Sequence, residues 1–347
     1  MLAAYATRVG GDDPLANLEV GELARPDPPS GWALLRSEAV SLNHHDLWTL
    51  KGVGAPPQDL PRILGCDVAG LVEAYGPGTP PSLPPGTPAV AHAVITCGVC
   101  DACRGPDETY CRHFALLSEG PYQGTLAQYC LVPAGNLFPI PPGLTAAEAA
   151  CLPTAYLTAY RMLFTKARLQ PGSSVLIQGA GGGLATAAQS LALAAGLRVV
   201  VSSRSERKRQ RALARGAHHV VAGGREAVSA VMELTGGEGV DAVIESVGEP
   251  TWATSLRSLR RGGAVVVAGA TAGADPPADL RRVFWRQLQI LGSTMGTRAE
   301  FQALLRLTQA AGVHPVIDSV VPLREAASGF ARLAAGETQG KLVVDTA

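Results

Sequence analysis

The stretch SVLIQGAGGGLATAAQ, residues 174–189, decides the fold class of this chain. An apolar run suited to a buried strand leads into a glycine-rich turn, and a small-residue pattern typical of a helix follows. Backbone N–H groups at the start of such a helix can bind a pyrophosphate, and glycines let it approach closely. The literal G-x-G-x-x-G spacing does not fit, but Gly179, Gly182 and Ala185 fit a related spacing, with Gly183 in the same turn. The stretch predicts a dinucleotide site; the alternative is a glycine-rich turn without a ligand.

Strand and helix patterns alternate after this stretch. The further apolar strand patterns are LRVVVSS, HHVV, VDAVIES, AVVVAGA and LQILGST. Uninterrupted apolar strands that alternate with helices predict a parallel sheet covered on both faces. Six such strands predict a doubly wound α/β domain of the Rossmann type.

The first 145 residues or so have a different character. They are rich in proline and glycine, and short β-type runs such as WALLRSEAV and VAGLVEAYG alternate with turn signals. This pattern predicts a compact β-rich domain with long loops. A helical pattern then covers 144–164, where Thr145 and Glu148 form a capping box. At the C-terminal end, two helical patterns precede the strand pattern GKLVVD.

The end of the second Rossmann strand indicates which dinucleotide binds. An NAD site has an acidic residue there to bind the ribose hydroxyls. This chain instead has Ser203 and Arg204, with Lys208 close behind. A hydroxyl and cationic side chains bind a 2′-phosphate through charge-assisted hydrogen bonds, so the sequence predicts NADP(H). The alternative is that Arg204 simply belongs to the solvated start of a helix.

Four closely spaced cysteines predict a metal. They lie in the loop-like stretch CGVCDACRGPDETYC, at Cys97, Cys100, Cys103 and Cys111. Four thiolates make a closed tetrahedral zinc site with no open position for substrate, and metal binding can stabilise a lobe with little core of its own. We expect one structural zinc; iron and four free thiols are the alternatives.

Composition excludes some classes of partner. The chain has 347 residues and a formal net charge of zero, which gives no reason to expect nucleic acid or an anionic membrane as a partner. Neither a signal peptide nor a membrane span is visible in the sequence. We therefore expect a cytoplasmic protein.

Taken together, the sequence resembles the medium-chain dehydrogenase/reductase superfamily, the group of zinc alcohol dehydrogenases and quinone oxidoreductases, over essentially the whole chain. The residues that carry the resemblance are SLNHHDLWTLKG, ILGCDVAGLVEAYG, the cysteine lobe, GTLAQYCLVP, GAGGGLATAA and GKLVV. The resemblance implies a GroES-like catalytic domain over 1–150, a Rossmann NADP(H)-binding domain over 151–290 and a return segment, 291–347, that completes the catalytic domain. It also implies a homodimer or homotetramer, commonly joined through LQILGST.

The resemblance also implies positions for the ligands of a second, catalytic zinc, but this chain does not have suitable ligands at all of them. The family's ligand positions fall at Asn43, Cys66 and about Ala150. Because asparagine is a poor zinc ligand and alanine is none, we expect no catalytic zinc. The alternative is a rearranged site around His45, Cys66 and Asp67, with Cys151 nearby.

Zinc-free members of the superfamily reduce quinones or α,β-unsaturated carbonyls with NADPH, and the resemblance implies the same small-molecule substrate class here. Asn43 could donate an amide N–H to the substrate oxygen, His45 takes the place of a proton-relay group, and Asp46 orients its neighbours. The positions that match the family's cofactor contacts are Thr154, Thr158, Ser246, Val247, Gly248, Gly269, Ala270 and Lys341, the last expected at the pyrophosphate. The alternatives are a zinc alcohol dehydrogenase with an atypical metal site and a protein that binds NADPH without turnover.

Overall fold

The computed structural model describes residues 1–347, which form two compact units. The first unit contains Met1–Ala155 and Gly296–Ala347, and the second contains Tyr156–Met295. The first unit is therefore formed by two separate segments, and the second unit lies between them in sequence. These breaks lie a few residues from the expected domain boundaries.

The N-terminal part of the first unit consists of short strands and loops. Its strands are β1 (Leu2–Ala6), β2 (Leu18–Glu22), β3 (Trp32–Ser41), β4 (Arg62–Ile63), β5 (Ala69–Tyr75), β6 (Pro88–Ala91), β7 (Val94–Ile95), β8 (Ala115–Leu116), β9 (Tyr129–Pro133) and β10 (Leu137–Pro139). Its helices are α1 (His44–Leu50), α2 (Asp101–Arg104) and α3 (Ala146–Ala149), and a π-helical turn follows at Leu152–Tyr156. Pro153 in this turn has no N–H to donate, which accounts for the interruption of the helix predicted over 144–164.

The second unit alternates strands and helices. It comprises α4 (Leu157–Tyr160), a π-helical segment (Arg161–Lys166), β11 (Ser174–Gln178), α5 (Gly183–Ala194), β12 (Arg198–Ser202), α6 (Glu206–Ala214), β13 (His219–Val221), α7 (Arg225–Leu234), β14 (Val240–Glu245), α8 (Glu249–Ser258), β15 (Leu259–Val267), α9 (Leu280–Arg286) and β16 (Gln289–Gly292). The six strands pair in the order β13-β12-β11-β14-β15-β16, and every pair is parallel. Numbered within the unit, this is the 3-2-1-4-5-6 order of a Rossmann sheet, so the predicted α/β fold class is confirmed.

Buried aliphatic side chains hold this parallel sheet against its helices. Leu176, Val200, Val243 and Val265 come from four neighbouring strands and belong to one core cluster, which Trp252 of α8 also joins. Helix α8 ends at Ser258. Leu259 is fully buried and pairs with Val240 of β14, so β15 begins directly after the helix.

The return segment completes the largest sheet of the first unit. It contains α10 (Arg298–Ala311), β17 (Ile317–Pro322), α11 (Ala326–Ala334) and β18 (Lys341–Asp345). The strand order is β10-β6-β5-β3-β18-β17, and β9 also pairs with β3. In this sheet β17 and β18 are parallel to each other, and β18 is antiparallel to β3. Because Val343 of β18 lies opposite Ser41 of β3, the start of β18 lies beside the chain that leads from β3 into α1.

Candidate functional site

The glycine turn of the second unit has the geometry that an anion-binding turn requires. Gly179 follows β11 with φ +89°, a conformation that favours glycine, and Gly182 is the N-cap of α5. No heavy atom lies within 4 Å of a Cβ built on either glycine, so the space above the turn is open. Gly183 begins the helix, and Ala185 is buried on its inner side. The free N–H groups of this helix terminus can hold a pyrophosphate.

The predicted 2′-phosphate residues lie where α6 begins. Arg204 is exposed, Ser203 is partly exposed, and Ser205 caps the helix by accepting a hydrogen bond from the Lys208 N–H at 3.4 Å. The one carboxylate in the first turn, Glu206, is ion-paired with Arg209. The end of β12 therefore presents hydroxyl and cationic groups to its surroundings.

A buried polar chain runs beneath these residues, and the sequence did not reveal it. Ser202 donates to the Gln178 side-chain oxygen, and the Gln178 amide donates to Ser255 Oγ at 2.9 Å. Ser255 donates in turn to Glu245 at 2.6 Å. All four side chains are buried, and together they link the carboxyl ends of β12, β11 and β14 through α8. The sequence signal that could have found these residues is a polar residue at the end of each of three apolar strands, which are neighbours in the sheet.

Glu245 fixes the loop that follows β14. Its carboxylate accepts the N–H groups of Val247 at 2.8 Å and Gly248 at 3.2 Å, and it also accepts the Thr251 hydroxyl at 2.9 Å. Gly248 has φ +97°, and a Cβ there would lie 2.0 Å from the Gly273 carbonyl oxygen, so only glycine fits.

The loops after β14 and β15 are joined to each other. The N–H of Thr271 donates to the Ser246 carbonyl at 3.2 Å, and the N–H of Ala272 donates to the Val247 carbonyl at 2.8 Å. The structure therefore brings two groups of predicted cofactor residues together, namely Ser246, Val247 and Gly248 with Gly269 and Ala270. Thr158 lies elsewhere in the second unit, in α4, where its hydroxyl contacts Met295 Sδ at 4.0 Å.

In the first unit, Asp46 organises the start of α1. Its Oδ2 accepts the Asn43 N–H at 2.7 Å, and its Oδ1 accepts the Gly65 N–H at 3.0 Å. The carboxylate thus ties the helix terminus to the segment that carries Cys66 and Asp67. The orienting role expected for Asp46 stays a prediction.

The side-chain amide and Oδ1 of Asn43 are hydrogen-bonded to neighbouring protein groups. Its amide donates to Asp67 Oδ2 at 2.8 Å and to the Ser41 carbonyl at 3.2 Å, and its Oδ1 accepts the Lys341 ammonium at 2.5 Å. The expectation that Asn43 donates to a substrate oxygen is therefore revised, because its N–H groups already have protein acceptors.

Lys341 also lies elsewhere than expected. The resemblance implies a contact with the pyrophosphate, but the ammonium is 3% exposed and donates to the Leu42 carbonyl at 2.8 Å as well as to Asn43. It lies 3.7 Å from Asp67 Oδ2. The pairing of β18 with β3 places Lys341 beside Asn43. Lys341 therefore belongs to what we call the polar cluster of the first unit, which consists of Ser41, Asn43, Asp67, Thr154 and Lys341.

Asp67 is the centre of that cluster. Besides Asn43, it accepts the hydroxyls of Ser41 at 2.7 Å and Thr154 at 2.6 Å. Burial raises the pKa of its carboxyl, and the Lys341 ammonium is the largest influence in the opposite direction. Thr154, expected near the nicotinamide, is thereby held against Asp67 and also lies 3.4 Å from Cys66 Sγ.

His45 is a titratable group next to this cluster, and one of its ring nitrogens is unsatisfied. Its Nε2 lies 2.9 Å from Glu119 Oε1, whereas its buried Nδ1 has no hydrogen-bond partner. Burial alone would lower the pKa of His45, but its contacts with Asp46, Cys66 and Glu119 outweigh burial and raise the pKa well above the usual value. The ring of His45 therefore carries a proton at neutral pH. Glu119, the partner that holds the ring, was missed in the sequence.

The same residues define a possible second metal site. Ligand atoms of His45, Asp46 and Cys66 all lie within 4.8 Å of one another. This set differs from the predicted set of His45, Cys66 and Asp67, because Asp46 takes the place of Asp67 in it. Cys151 Sγ donates to the Ala147 carbonyl at 3.2 Å and is not part of the group.

The four lobe cysteines meet around one point. The Sγ–Sγ distances are 3.8 Å for Cys97–Cys103, 3.5 Å for Cys100–Cys103, 3.8 Å for Cys100–Cys111 and 3.6 Å for Cys97–Cys111. A zinc with metal–sulfur bonds of about 2.3 Å has tetrahedral edges of about 3.8 Å, so this donor set fits the metal. The backbone N–H of Cys103 is the largest of the influences that lower the pKa of Cys100 to about 6, which favours the thiolate that zinc binds.

The lobe is also tied to the return segment. Glu108 lies between the third and fourth cysteines, and it accepts the Arg298 N–H at 2.7 Å and the Arg298 guanidinium at 3.1 Å. Arg298 is the first residue of α10, so the lobe supplies an anion to the positive end of that helix.

No helix of the protein combines the length and the apolar character needed to cross a membrane.

Comparison with known proteins supplies independent evidence. Residues 29–142 match the family described as alcohol dehydrogenase GroES-like domain, and residues 183–310 match the family described as zinc-binding dehydrogenase. Acryloyl-coenzyme A reductase of Metallosphaera sedula is 30% identical over 332 residues, which cover 94% of this chain and 96% of that protein. Quinone oxidoreductase of Rattus norvegicus is 30% identical over 310 residues, covering 87% and 85%. The solved structure of an NAD-dependent alcohol dehydrogenase has a TM-score of 0.94, with 35% identity and 100% coverage of both chains.

Proposed function

Because this chain belongs to the medium-chain dehydrogenase/reductase superfamily and is an oxidoreductase of that type, we propose that it reduces quinones or α,β-unsaturated carbonyls with NADPH and without a catalytic zinc. The observation that carries the proposal is the hydrogen-bonded set of Asn43, Asp67 and Lys341, in which Asn43 stands at the family's first ligand position and its polar atoms are bonded to protein neighbours. The relatives named as reductases of acryloyl-coenzyme A and quinone support this substrate class.

The cofactor residues support NADPH as the reductant. The open turn at Gly179 and Gly182 would hold the pyrophosphate, and Arg204 with Lys208 would bind the 2′-phosphate. When bound, NADPH supplies the hydride. The protein then has to hold the acceptor, exclude water and deliver one proton, so that hydride and proton together reduce one double bond.

His45 supplies the proton in this proposal. Its ring is anchored through Nε2 to Glu119, its Nδ1 has no hydrogen-bond partner although Asp46 Oδ1 lies 3.9 Å away, and its raised pKa favours the protonated ring at neutral pH. Asn43 and Asp46 act as positioning residues that hold α1 and, with it, the His45 ring. A conjugated acceptor spreads its developing negative charge, so a hydrogen-bond donor suffices where an alkoxide would need a metal.

Steady-state kinetics with matched substrates test the proposal. We expect NADPH-dependent reduction of an enone or a quinone, and negligible oxidation of an ethanol-like alcohol with NADP⁺. His45→Gln should lower the enone rate by roughly 10²- to 10⁴-fold, whereas His314→Gln, at an exposed histidine of the same unit, should not change it. Alcohol oxidation as fast as enone reduction would refute the proposal.

A zinc alcohol dehydrogenase is the second candidate. The mutual approach of His45, Asp46 and Cys66 favours it, since each carries an atom that can bind zinc. The similar structure named as an NAD-dependent alcohol dehydrogenase agrees with this alternative. Alcohol turnover that is lost on chelation and on Cys66→Ser would support the second candidate over the first.

A further inference from the structure

Lys341 is a fixed cation inside the polar cluster of the first unit. Its ammonium is buried, its two hydrogen bonds go to the Leu42 carbonyl and Asn43 Oδ1, and Asp67 Oδ2 lies 3.7 Å away. A buried carboxylate is stable only with hydrogen bonds and a compensating charge. Lys341 is the cation that compensates Asp67.

The acceptor atoms of the cluster are already occupied. Asp67 Oδ1 accepts the Thr154 hydroxyl, and Asp67 Oδ2 accepts both the Ser41 hydroxyl and the Asn43 amide. The oxygen of Asn43 is used by Lys341. A divalent cation bound to Asp67 would have to displace these donors and would lie within a few ångströms of a positive charge, where Coulomb repulsion is strong.

We propose that the Lys341 ammonium is a built-in cation that takes the place of a catalytic metal and excludes divalent ions from the cluster of Asn43, Cys66 and Asp67. The proposal rests on the zinc-free form of the proposed function, and it assigns Lys341 as a positioning residue. The lysine holds Asn43 and Asp67 in place, and Asp67 in turn holds Thr154 next to Cys66.

Removal of the charge should open the cluster to metal. In Lys341→Met the side chain keeps its length but Asp67 loses its counter-ion, so a divalent cation that binds Asp67 and Cys66 restores the balance of charge. His45, whose Nδ1 has no partner, can complete the ligand set. Lys341→Arg keeps the charge and should keep the metal out.

The experiment is metal analysis of purified proteins after equilibration with zinc and removal of the excess. We expect Lys341→Met to hold about one zinc more per chain than the wild type, and Lys341→Met/Cys66→Ser to lose that extra ion. Lys341→Arg should match the wild type. Lys51→Met, the same change at an exposed lysine, is the control. A folded Lys341→Met protein with no extra zinc overturns the proposal, as does a wild-type zinc that is lost on Cys66→Ser.

A second variant decides the question if Lys341→Met does not fold. Asn43→Cys restores a thiolate at the family's ligand position while Lys341 remains. Exclusion by Lys341 predicts no additional zinc in this variant, whereas a gain of zinc would refute it. These zinc measurements are independent of the proposed function. Enone reduction can fail while the zinc counts agree with this inference, and an unchanged zinc count in Lys341→Met refutes this inference alone.

Discussion

Arg204 is the residue on which the choice between NADPH and NADH depends most directly. It follows Ser203 at the end of β12 and is exposed, while the nearest carboxylate, Glu206, is engaged by Arg209. An unneutralised carboxylate would repel a 2′-phosphate, and a guanidinium attracts one. The local charge thus favours the phosphorylated cofactor.

Arg204→Ala should therefore weaken NADPH binding by roughly 1 to 3 kcal/mol, about 5- to 150-fold in Kd, and leave NADH binding nearly unchanged. Fluorescence titration of both cofactors measures the effect. Arg207→Ala, at an exposed position one turn further along, is the matched control. Equal affinity of the wild type for NADH and NADPH would contradict the assignment.

The side-chain partners at the candidate site were only partly predictable. The identities of Asn43, His45 and Asp46 are visible in one short motif, in which Asn43 stands at the family's first ligand position. The hydrogen bond between Asn43 and Lys341 joins residues 298 positions apart, and it depends on the pairing of β18 with β3. No local pattern encodes that pairing, so Lys341 was expected at the pyrophosphate instead.

At the scale of elements, we expect the cysteine lobe to depend on a bound zinc. Its helical segments are short, four residues at Asp101–Arg104 and three at Glu108–Tyr110, and its four sulfurs lie within 4.8 Å of one another. Cys100→Ser should lose about one zinc per chain and lower the Tm, because metal binding and folding of such a lobe are coupled. Glu108 would then lose its fixed position at the start of α10.

Metal analysis and thermal unfolding measure both effects. Cys151→Ser is the control, since Cys151 lies outside the lobe and a serine can keep its hydrogen bond to the Ala147 carbonyl. The zinc assignment fails if native protein contains no metal, or if Cys100→Ser retains it.

The loop between β14 and α8 depends on one buried carboxylate. Glu245 accepts donors from Val247, Gly248, Thr251 and Ser255, so replacement of an oxygen by an amide leaves at least one donor unpaired. Glu245→Gln should lower the free energy of unfolding by about 1 to 3 kcal/mol in urea denaturation. Glu249→Gln, at an exposed residue, should change it by less than about 0.5 kcal/mol. Equal stability of the two variants would show that the buried network is not what stabilises the loop.

At the scale of the whole molecule, the α/β part of the fold was predictable because its strands are continuous apolar runs. The alternation of such runs with helices predicts six parallel strands, and the structure confirms them. The seven-stranded sheet of the first unit was not predictable in detail. Its last two strands, β17 and β18, come from the return segment. Strand β18 pairs with β3 although most of the sequence lies between these two strands.

The resemblance predicts a homo-oligomer joined through the last Rossmann strand, and this stays a prediction that the surface around that strand makes testable. Strand β16 is at the edge of its sheet, where Ile290 is 44% exposed. Helix α9, which precedes it, exposes Phe284 by 67% and Trp285 by 68%. An unpaired edge next to exposed aromatic side chains is unfavourable in water and favourable in an interface between copies.

Trp285→Glu should therefore shift the protein to a smaller species in analytical ultracentrifugation, because a buried unpaired charge disfavours association. Val53→Glu introduces the same charge at an exposed apolar residue in a loop of the first unit and should leave the sedimentation unchanged. If both variants sediment like the wild type while Ile290→Lys also has no effect, the interface does not lie at β16. A wild type that is monomeric at all accessible concentrations would rule out the oligomer itself.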